Sequence, residues 1–134
     1  MAPSANYSWN ANLYAAHSAH HRAQDAEFLS SIGLQPDAKV LDLGSGTGEF
    51  TNQLAASVPQ GTVLGIDSSV SQIEYARQAK ARNVEYRLGR LEELESVLDE
   101  NDFDAIISRA TLHWVAAEEH PALLRTIRAH LCPG

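Results

Sequence analysis

The sequence predicts an α/β fold, a parallel sheet with helices on both faces. Three observations carry that expectation. Four short strand candidates alternate with segments of helical spacing, the pattern that a parallel sheet with crossover helices requires. The runs are closed by glycine, aspartate or serine, residues that end strands and cap helices. The chain has 134 residues, 44% of them apolar and 20% charged, enough for one core and hence one domain over 1–134.

The elements follow in order. Residues 1–12 are polar, with Tyr7 and Trp9 as aromatic anchors, and read as an N-terminal arm. Helical spacing runs from Leu13 to Ile32 and stops at Gly33, a C′ glycine, before the Pro36-Asp37 turn. Lys39 to Leu43 is a buried strand cut off by glycines. Phe50, Leu54, Ala55 and Val58 give a helix from Glu49 that halts before Pro59. Thr62 to Ile66 is the second strand, ending at Asp67. Ser68, Ser69 and Ser71 offer caps for a helix to Ala81, with Ile73, Ala76 and Ala79 or Lys80 on its inner side and Asn83 as its stop. Val84 to Leu88 is a third strand, and Leu91 to Leu98 a short amphipathic helix. Phe103 to Ser108 is a fourth strand with Ala105, Ile106 and Ile107 buried. Glu118 to Leu131 is a last helix with Leu123, Leu124, Ile127 and Leu131 on its inner stripe.

Charge and composition exclude several classes. A formal charge of -7 repels a nucleic-acid backbone unless a basic patch overrides it. The group Arg77, Lys80, Arg82, Arg87 and Arg90 reads as solvated helix and strand ends, so no nucleic-acid partner is expected. A single cysteine, Cys132, precludes an internal disulfide and suits a reducing compartment. The first residues lack an apolar signal core, and no run is long enough to cross a bilayer. A soluble, cytoplasmic chain with no membrane partner is the expectation.

The strongest motif is Val40-Leu41-Asp42-Leu43-Gly44-Ser45-Gly46-Thr47-Gly48, set between a predicted strand and a predicted helix. Glycines there let the backbone turn sharply and approach a ligand, and the next helix aims free N–H groups at it. Asp67 ends the following strand, where an acid hydrogen-bonds ribose hydroxyls. A dinucleotide motif needs its third glycine one place later, at position 49, which is Glu. Asp42, two residues before the first glycine, suits a ligand carrying an ammonium and a sulfonium better than a pyrophosphate. The electrostatics therefore favour S-adenosylmethionine over NAD.

These residues resemble a known family. Val40 to Gly48 resembles motif I of class I S-adenosylmethionine-dependent methyltransferases. Gly65-Ile66-Asp67-Ser68-Ser69 resembles the second-strand motif, and Phe103 to Val115 the fourth-strand motif. Trp9-Asn10-Ala11-Asn12-Leu13-Tyr14 and Leu112-His113-Trp114 look most like the trans-aconitate methyltransferase group. The resemblance implies a Rossmann-like sheet, the first four β-α units of a seven-stranded fold whose C-terminal part is absent from 1–134. It implies methyl transfer from S-adenosylmethionine, giving S-adenosylhomocysteine, to an oxygen of a small-molecule acceptor. Gly44, Ser45, Gly46 and Gly48 would line the methionine part of the cofactor, with Asp42 near its amino group. Asp67 would bind the ribose hydroxyls with Ser68 beside it, and Leu91 would lie by the adenine. Ser108 and Arg109 would close over the methionine end, and Arg22 would pair with the cofactor carboxylate.

The sequence departs from the family in three places. Arg90 stands where an acid commonly meets the adenine amino group, and Arg109 where the subgroup commonly has Asn. An arginine at 109 binds a carboxylate or points to solvent. The family order 3-2-1-4 would leave the fourth strand as an apolar edge, open to a second copy, a partner chain or the missing part of the fold. The absence of that part leaves a second reading, a non-catalytic cofactor-binding or assembly module.

Three other groups carry alternatives. His113 follows the fourth strand and reads either as a general base for a hydroxyl acceptor or as a histidine packed beside Trp114. His17, His20 and His21 share one helix face, but no cysteine or carboxylate completes a metal set, so no metal is expected. Tyr7, Trp9 and Tyr14 read as a lid over a cation or as plain packing.

Overall fold

The computed structural model describes residues 22–108, 118 and 120–132. Four strands form one parallel sheet: β1 (Lys39–Leu43), β2 (Thr62–Asp67), β3 (Val84–Leu88) and β4 (Ala105–Ser108). Between and around them run α1 (Arg22–Ile32), α2 (Glu49–Ser57), α3 (Val70–Gln78), a 3-10 turn (Leu91–Glu93) leading into α4 (Leu94–Val97), and α5 (His120–His130). The strand order is β3-β2-β1-β4, with β1 and β2 inside, the order that the family resemblance implies.

Alternation along β1 assigns its two faces. Val40 packs with Phe50, Leu54, Ile73, Ala76 and Tyr86 beneath α2 and α3, while Leu29 and Ile32 of α1 close that side. Leu41 and Leu43 pack on the opposite face with Leu64, Ile66, Leu94, Leu98, Phe103 and Leu123, under α4 and α5. Period-2 side chains on a strand covered on both faces give the near-continuous apolar run read at Lys39 to Leu43. Register brings the carboxyl ends of the strands level: Leu43 lies opposite Ile66 and Ser108, and Asp67 opposite Leu88.

Several boundaries differ from the sequence expectation, each for a local reason. The helix expected to reach Ala81 ends at Gln78, leaving Ala79 and Lys80 exposed. Asn52 of α2 takes over the backbone there: its Nδ2 donates to the Ala79 carbonyl at 3.1 Å and its Oδ1 accepts from Ala81 N–H at 3.3 Å. Asn83 does not stop that helix. Its amide reaches the carbonyls of Ala55 (3.1 Å) and Val58 (3.0 Å) and closes the end of α2 instead. Asn83→Ala is expected to lower stability by about 1–2 kcal/mol in denaturant titration, the cost of two part-buried carbonyls left without this donor.

The stretch expected as one helix from Leu91 to Leu98 is a 3-10 turn followed by one α-helical turn. The fourth strand starts at Ala105 rather than Phe103, and of its apolar residues only Ile107 is buried. Ala105 and Ile106 are half-buried because β4 is one edge of the sheet among the described residues. At its start that edge is met by the chain itself. Leu131 bridges Phe103 in parallel, and Cys132 N–H donates to the Phe103 carbonyl at 2.9 Å. Leu124, expected inside, is 55% exposed, so α5 contacts the sheet through Leu123 and Ile127. Residues 1–21, including the arm and the histidines at 17, 20 and 21, lie outside the described residues.

Arg87 is not a solvated strand end. Its Nη1 and Nη2 donate to the two Glu100 carboxylate oxygens at 2.9 and 2.8 Å, and Nη1 also reaches the Val97 carbonyl at 3.0 Å. The pairing ties β3 to the segment after α4. The guanidinium pushes the Glu100 carboxyl down to about 2 from 4.5. A depressed carboxylate stabilises the fold above its unfolded pKa, and that contribution is lost as pH falls from 4.5 toward about 2. Solvent screening at this half-open site leaves about 1 kcal/mol. Arg87→Met should remove that acid-sensitive component, seen as a flatter melting temperature between pH 5 and pH 2.5.

Candidate functional site

The site is built at the carboxyl end of the sheet, in the crevice where α/β folds take their ligands. β1 delivers the chain into the glycine turn, and the turn folds back over the end of β2. Gly44 N–H and Ser45 N–H both donate to the Ile66 carbonyl, at 2.7 and 3.0 Å. Gly44, Gly46 and Gly48 have φ of 80°, 58° and 85°, the left-handed region that side chains with a Cβ disfavour.

The glycines differ in what surrounds them. A Cβ on Gly46 would meet nothing nearer than Gln72 Nε2 at 3.9 Å, so the turn is open there. A Cβ on Gly48 would run into the Tyr86 hydroxyl, and the Tyr86 ring carbon Cζ would lie at 2.8 Å. Tyr86 stands inward from β3, buried, and its hydroxyl donates to the Gly48 carbonyl at 3.2 Å, with Asn52 Oδ1 also at 3.2 Å. Burial holds this phenol well above its ordinary range and the charge of Asp42 adds to the effect, so the hydroxyl keeps its proton and remains a donor.

Asp67 closes the other side. Its Oδ2 accepts from Gly46 N–H at 2.9 Å and its Oδ1 from Ser69 N–H at 2.9 Å, so one carboxylate joins the glycine turn to the start of α3. Ser69 caps that helix by accepting from Gln72 N–H. Burial raises the Asp67 pKa above 3.8, opposed by the backbone N–H groups of Ser69, Gly46 and Ser68. Ser68 is exposed beside it.

The remaining expected residues fall as follows. Asp42 is 3% exposed, and its Oδ2 accepts from the Thr51 hydroxyl at 2.6 Å, so its charge sits beneath the turn rather than on it. Ser45 Oγ, Gln72 Oε1 and Ser108 Oγ are buried polar atoms without a hydrogen-bond partner among the described residues, the kind of group that a polar ligand satisfies. Leu91 begins the turn after β3 with its side chain in the core. Arg90, in the place of the adenine-facing acid, pairs with Glu92 and Glu93. Arg22 opens α1, but its side chain lies outside the described residues, as do Arg109 and His113 with the aromatic arm.

Sequence reasoning missed Thr51, Tyr86 and Gln72. The signal for Thr51 was present: it lies three and four residues before Leu54 and Ala55, on the apolar face of α2, and is fully buried. Tyr86 was legible only as the second inward position of β3, since nothing local says that its hydroxyl reaches a turn 38 residues away.

The arrangement fits an adenosyl sulfonium ligand. Two carboxylates flank the turn: Asp67 suits a pair of hydroxyl donors, and Asp42 lends negative potential near the turn. The turn holds an open glycine at Gly46, and the Ser45 and Ser108 hydroxyls are buried without partners among the described residues. A pyrophosphate would meet both charges. Among the described residues, no His, Cys, Asp or Glu group has the geometry of a metal site, and no helix is long and apolar enough to cross a membrane.

Comparison with known proteins agrees with this geometry. The model of a methyltransferase-domain family matches residues 40–134. Trans-aconitate 2-methyltransferase of Deinococcus radiodurans is 38% identical over 132 residues, covering 94% of this chain and 46% of that protein. The chain thus spans about half the length of the curated relatives it matches. Among solved structures, a TehB-like SAM-dependent methyltransferase from Corynebacterium glutamicum superposes with a TM-score of 0.70 at 25% identity, over 90% of this chain and 66% of that one. Phosphoethanolamine N-methyltransferase 1 of Haemonchus contortus, solved with phosphoethanolamine and S-adenosylhomocysteine, gives 0.73 at 27% identity, over 84% of this chain and 24% of that one.

Proposed function

The chain belongs to the methyltransferase-domain family, and on that premise we propose that it holds S-adenosylmethionine at the glycine turn for methyl transfer to an oxygen of a small organic acid or hydroxyl compound. The observation that carries the reading is the Asp67 carboxylate, fixed by Gly46 N–H and Ser69 N–H at 2.9 Å each at the mouth of the turn. That carboxylate is already oriented, so accepting two ribose hydroxyls requires little reorganisation.

The cofactor supplies a methyl group on a sulfonium, a good leaving group. This chain's part is to bind, align and exclude water. Asp67 accepts from the ribose, with Ser68 beside it. Gly44, Ser45, Gly46 and Gly48 line the methionine portion. Ser45 Oγ and Ser108 Oγ gain partners on binding. Asp42 favours the ammonium from below. Leu91 flanks the adenine, and Arg109 and Arg22 bind carboxylates. A carboxylate acceptor is already nucleophilic and needs no base. A hydroxyl acceptor needs one, and His113 takes that role. The trans-aconitate relatives, which share 38% and 32% identity with this chain, favour the carboxylate.

Calorimetric titration with S-adenosylhomocysteine, and with NADH as control, tests the cofactor. Binding of the first alone supports the reading, whereas NADH binding or no binding of either overturns it. Transfer of a labelled methyl group to a tricarboxylic acid, giving a product that mild base hydrolyses to labelled methanol, tests the acceptor. A base-stable product would replace the carboxylate with a hydroxyl.

A further inference from the structure

Beneath the glycine turn lies a polar chain that nothing in the cofactor contacts above explains. Thr51, on the first turn of α2, is fully buried. Its hydroxyl donates to Asp42 Oδ2 at 2.6 Å, a short bond of the charge-assisted kind. The Tyr86 hydroxyl, which holds the Gly48 carbonyl at 3.2 Å, packs into the same buried region beneath the turn. A buried threonine beside a buried carboxylate is a costly arrangement unless the charge is needed, because an apolar residue of the same shape would pack equally well against Phe50 and Leu54.

We propose that Thr51 is a positioning residue: its hydroxyl fixes the Asp42 carboxylate beneath the turn, and so sets the affinity for the ammonium-bearing end of the cofactor without contributing to recognition of its nucleoside. This rests on the reading of the turn as the S-adenosylmethionine site. The physical ground is separation of roles. Asp67 accepts from Gly46 and from Ser69 at the start of α3, on the β2 side of the turn, whereas Thr51 holds Asp42 under its β1 side. Removing the hydroxyl takes a short, charge-assisted bond from the Asp42 carboxylate and weakens only the cationic end of the ligand.

The test compares two ligands that share the adenosyl thioether. S-adenosylhomocysteine carries the amino-acid end, and 5′-methylthioadenosine lacks it. By calorimetry, Thr51→Val, which keeps the shape and removes the hydroxyl, is expected to weaken S-adenosylhomocysteine about tenfold and to leave 5′-methylthioadenosine within about twofold. Thr51→Ser, which keeps the donor, is expected to bind both as the unaltered chain does. In an Asp42→Asn background the Thr51→Val change should weaken S-adenosylhomocysteine no further. Equal weakening of both ligands, or additive losses in the double variant, would show that Thr51 only supports the turn and would overturn the proposal. So would unchanged binding of both. An unaltered chain that binds neither ligand overturns the cofactor reading itself, so the two failures are distinguishable. Should Thr51→Val fail to fold, Thr51→Ala takes its place, and the ratio of the two affinities is the same readout.

Discussion

Gly48→Ala is expected to lower the melting temperature by roughly 10–20 °C and to abolish S-adenosylhomocysteine binding at 25 °C. Two costs add at this residue. At φ of 85° an L side chain is strained by about 1–2 kcal/mol. The new methyl also overlaps the Tyr86 hydroxyl and sits 2.8 Å from its Cζ and 3.1 Å from the Ala76 side chain, overpacking worth about 1–3 kcal/mol more. Tyr86 cannot retreat easily, because it is 2% exposed and packs in the cluster under α2 and α3. The steric share is separable. Tyr86→Phe alone should cost about 1 kcal/mol, the net worth of the phenol's hydrogen bond to the Gly48 carbonyl. Combined with Gly48→Ala, it should recover part of the loss, since the hydroxyl is the first atom the methyl meets. Strictly additive melting shifts in the double variant would remove Tyr86 from this account. Gly46→Ala makes the contrast: its φ is also positive, but the space beside it is open, so only the backbone strain is expected in stability.

Asp67→Ala is expected to weaken S-adenosylhomocysteine at least about 100-fold, because each hydrogen bond to a charged acceptor is worth about 1.5–3 kcal/mol and the ribose offers two. The variant also leaves Gly46 N–H and Ser69 N–H without their acceptor, so a stability loss of about 1–3 kcal/mol accompanies it. Asp67→Asn separates the two effects, since the amide oxygen still accepts from one N–H while the charge is gone. Burial raises the pKa of this carboxyl above 3.8 in the fold. With a raised folded pKa, its contribution to stability is present below the unfolded value and is lost as pH rises through the folded one. Ligand binding runs the other way, because hydroxyl donors need the ionised form. Affinity for S-adenosylhomocysteine should therefore decline on acidification at a pH above the ordinary aspartate range. In Asp67→Asn that inflection should vanish. An inflection surviving the substitution would assign the titration to another group.

How far the sequence carried can be judged from particular elements. β1 and β3 coincide with their expected bounds because each is framed by turn residues, β1 as a short apolar run buried on both faces and β3 as an alternating run that buries Val84 and Tyr86. β2 runs one residue further, to Asp67 itself, since its backbone pairs with Leu88 before the chain turns. The helix ends were less legible. α3 stops three residues short because Asn52, 27 residues earlier in the chain, offers its carboxamide to the Ala79 carbonyl. Asn83 carries a polar amide that periodicity reads as a stop, while in space it caps a different helix.

The site divides along the same line. The glycine turn, with Asp42 and Asp67 as candidates beside it, was legible in the sequence alone, because left-handed backbone needs glycine locally and an acid at a strand end is visible in one dimension. Which partners those groups take was decided only in three dimensions. Tyr86 under Gly48, Thr51 on Asp42, and Gly46 on Asp67 are contacts across 38, 9 and 21 residues. They exist because parallel β1, β2 and β3 end at one level, and a parallel sheet brings together residues that no local periodicity relates.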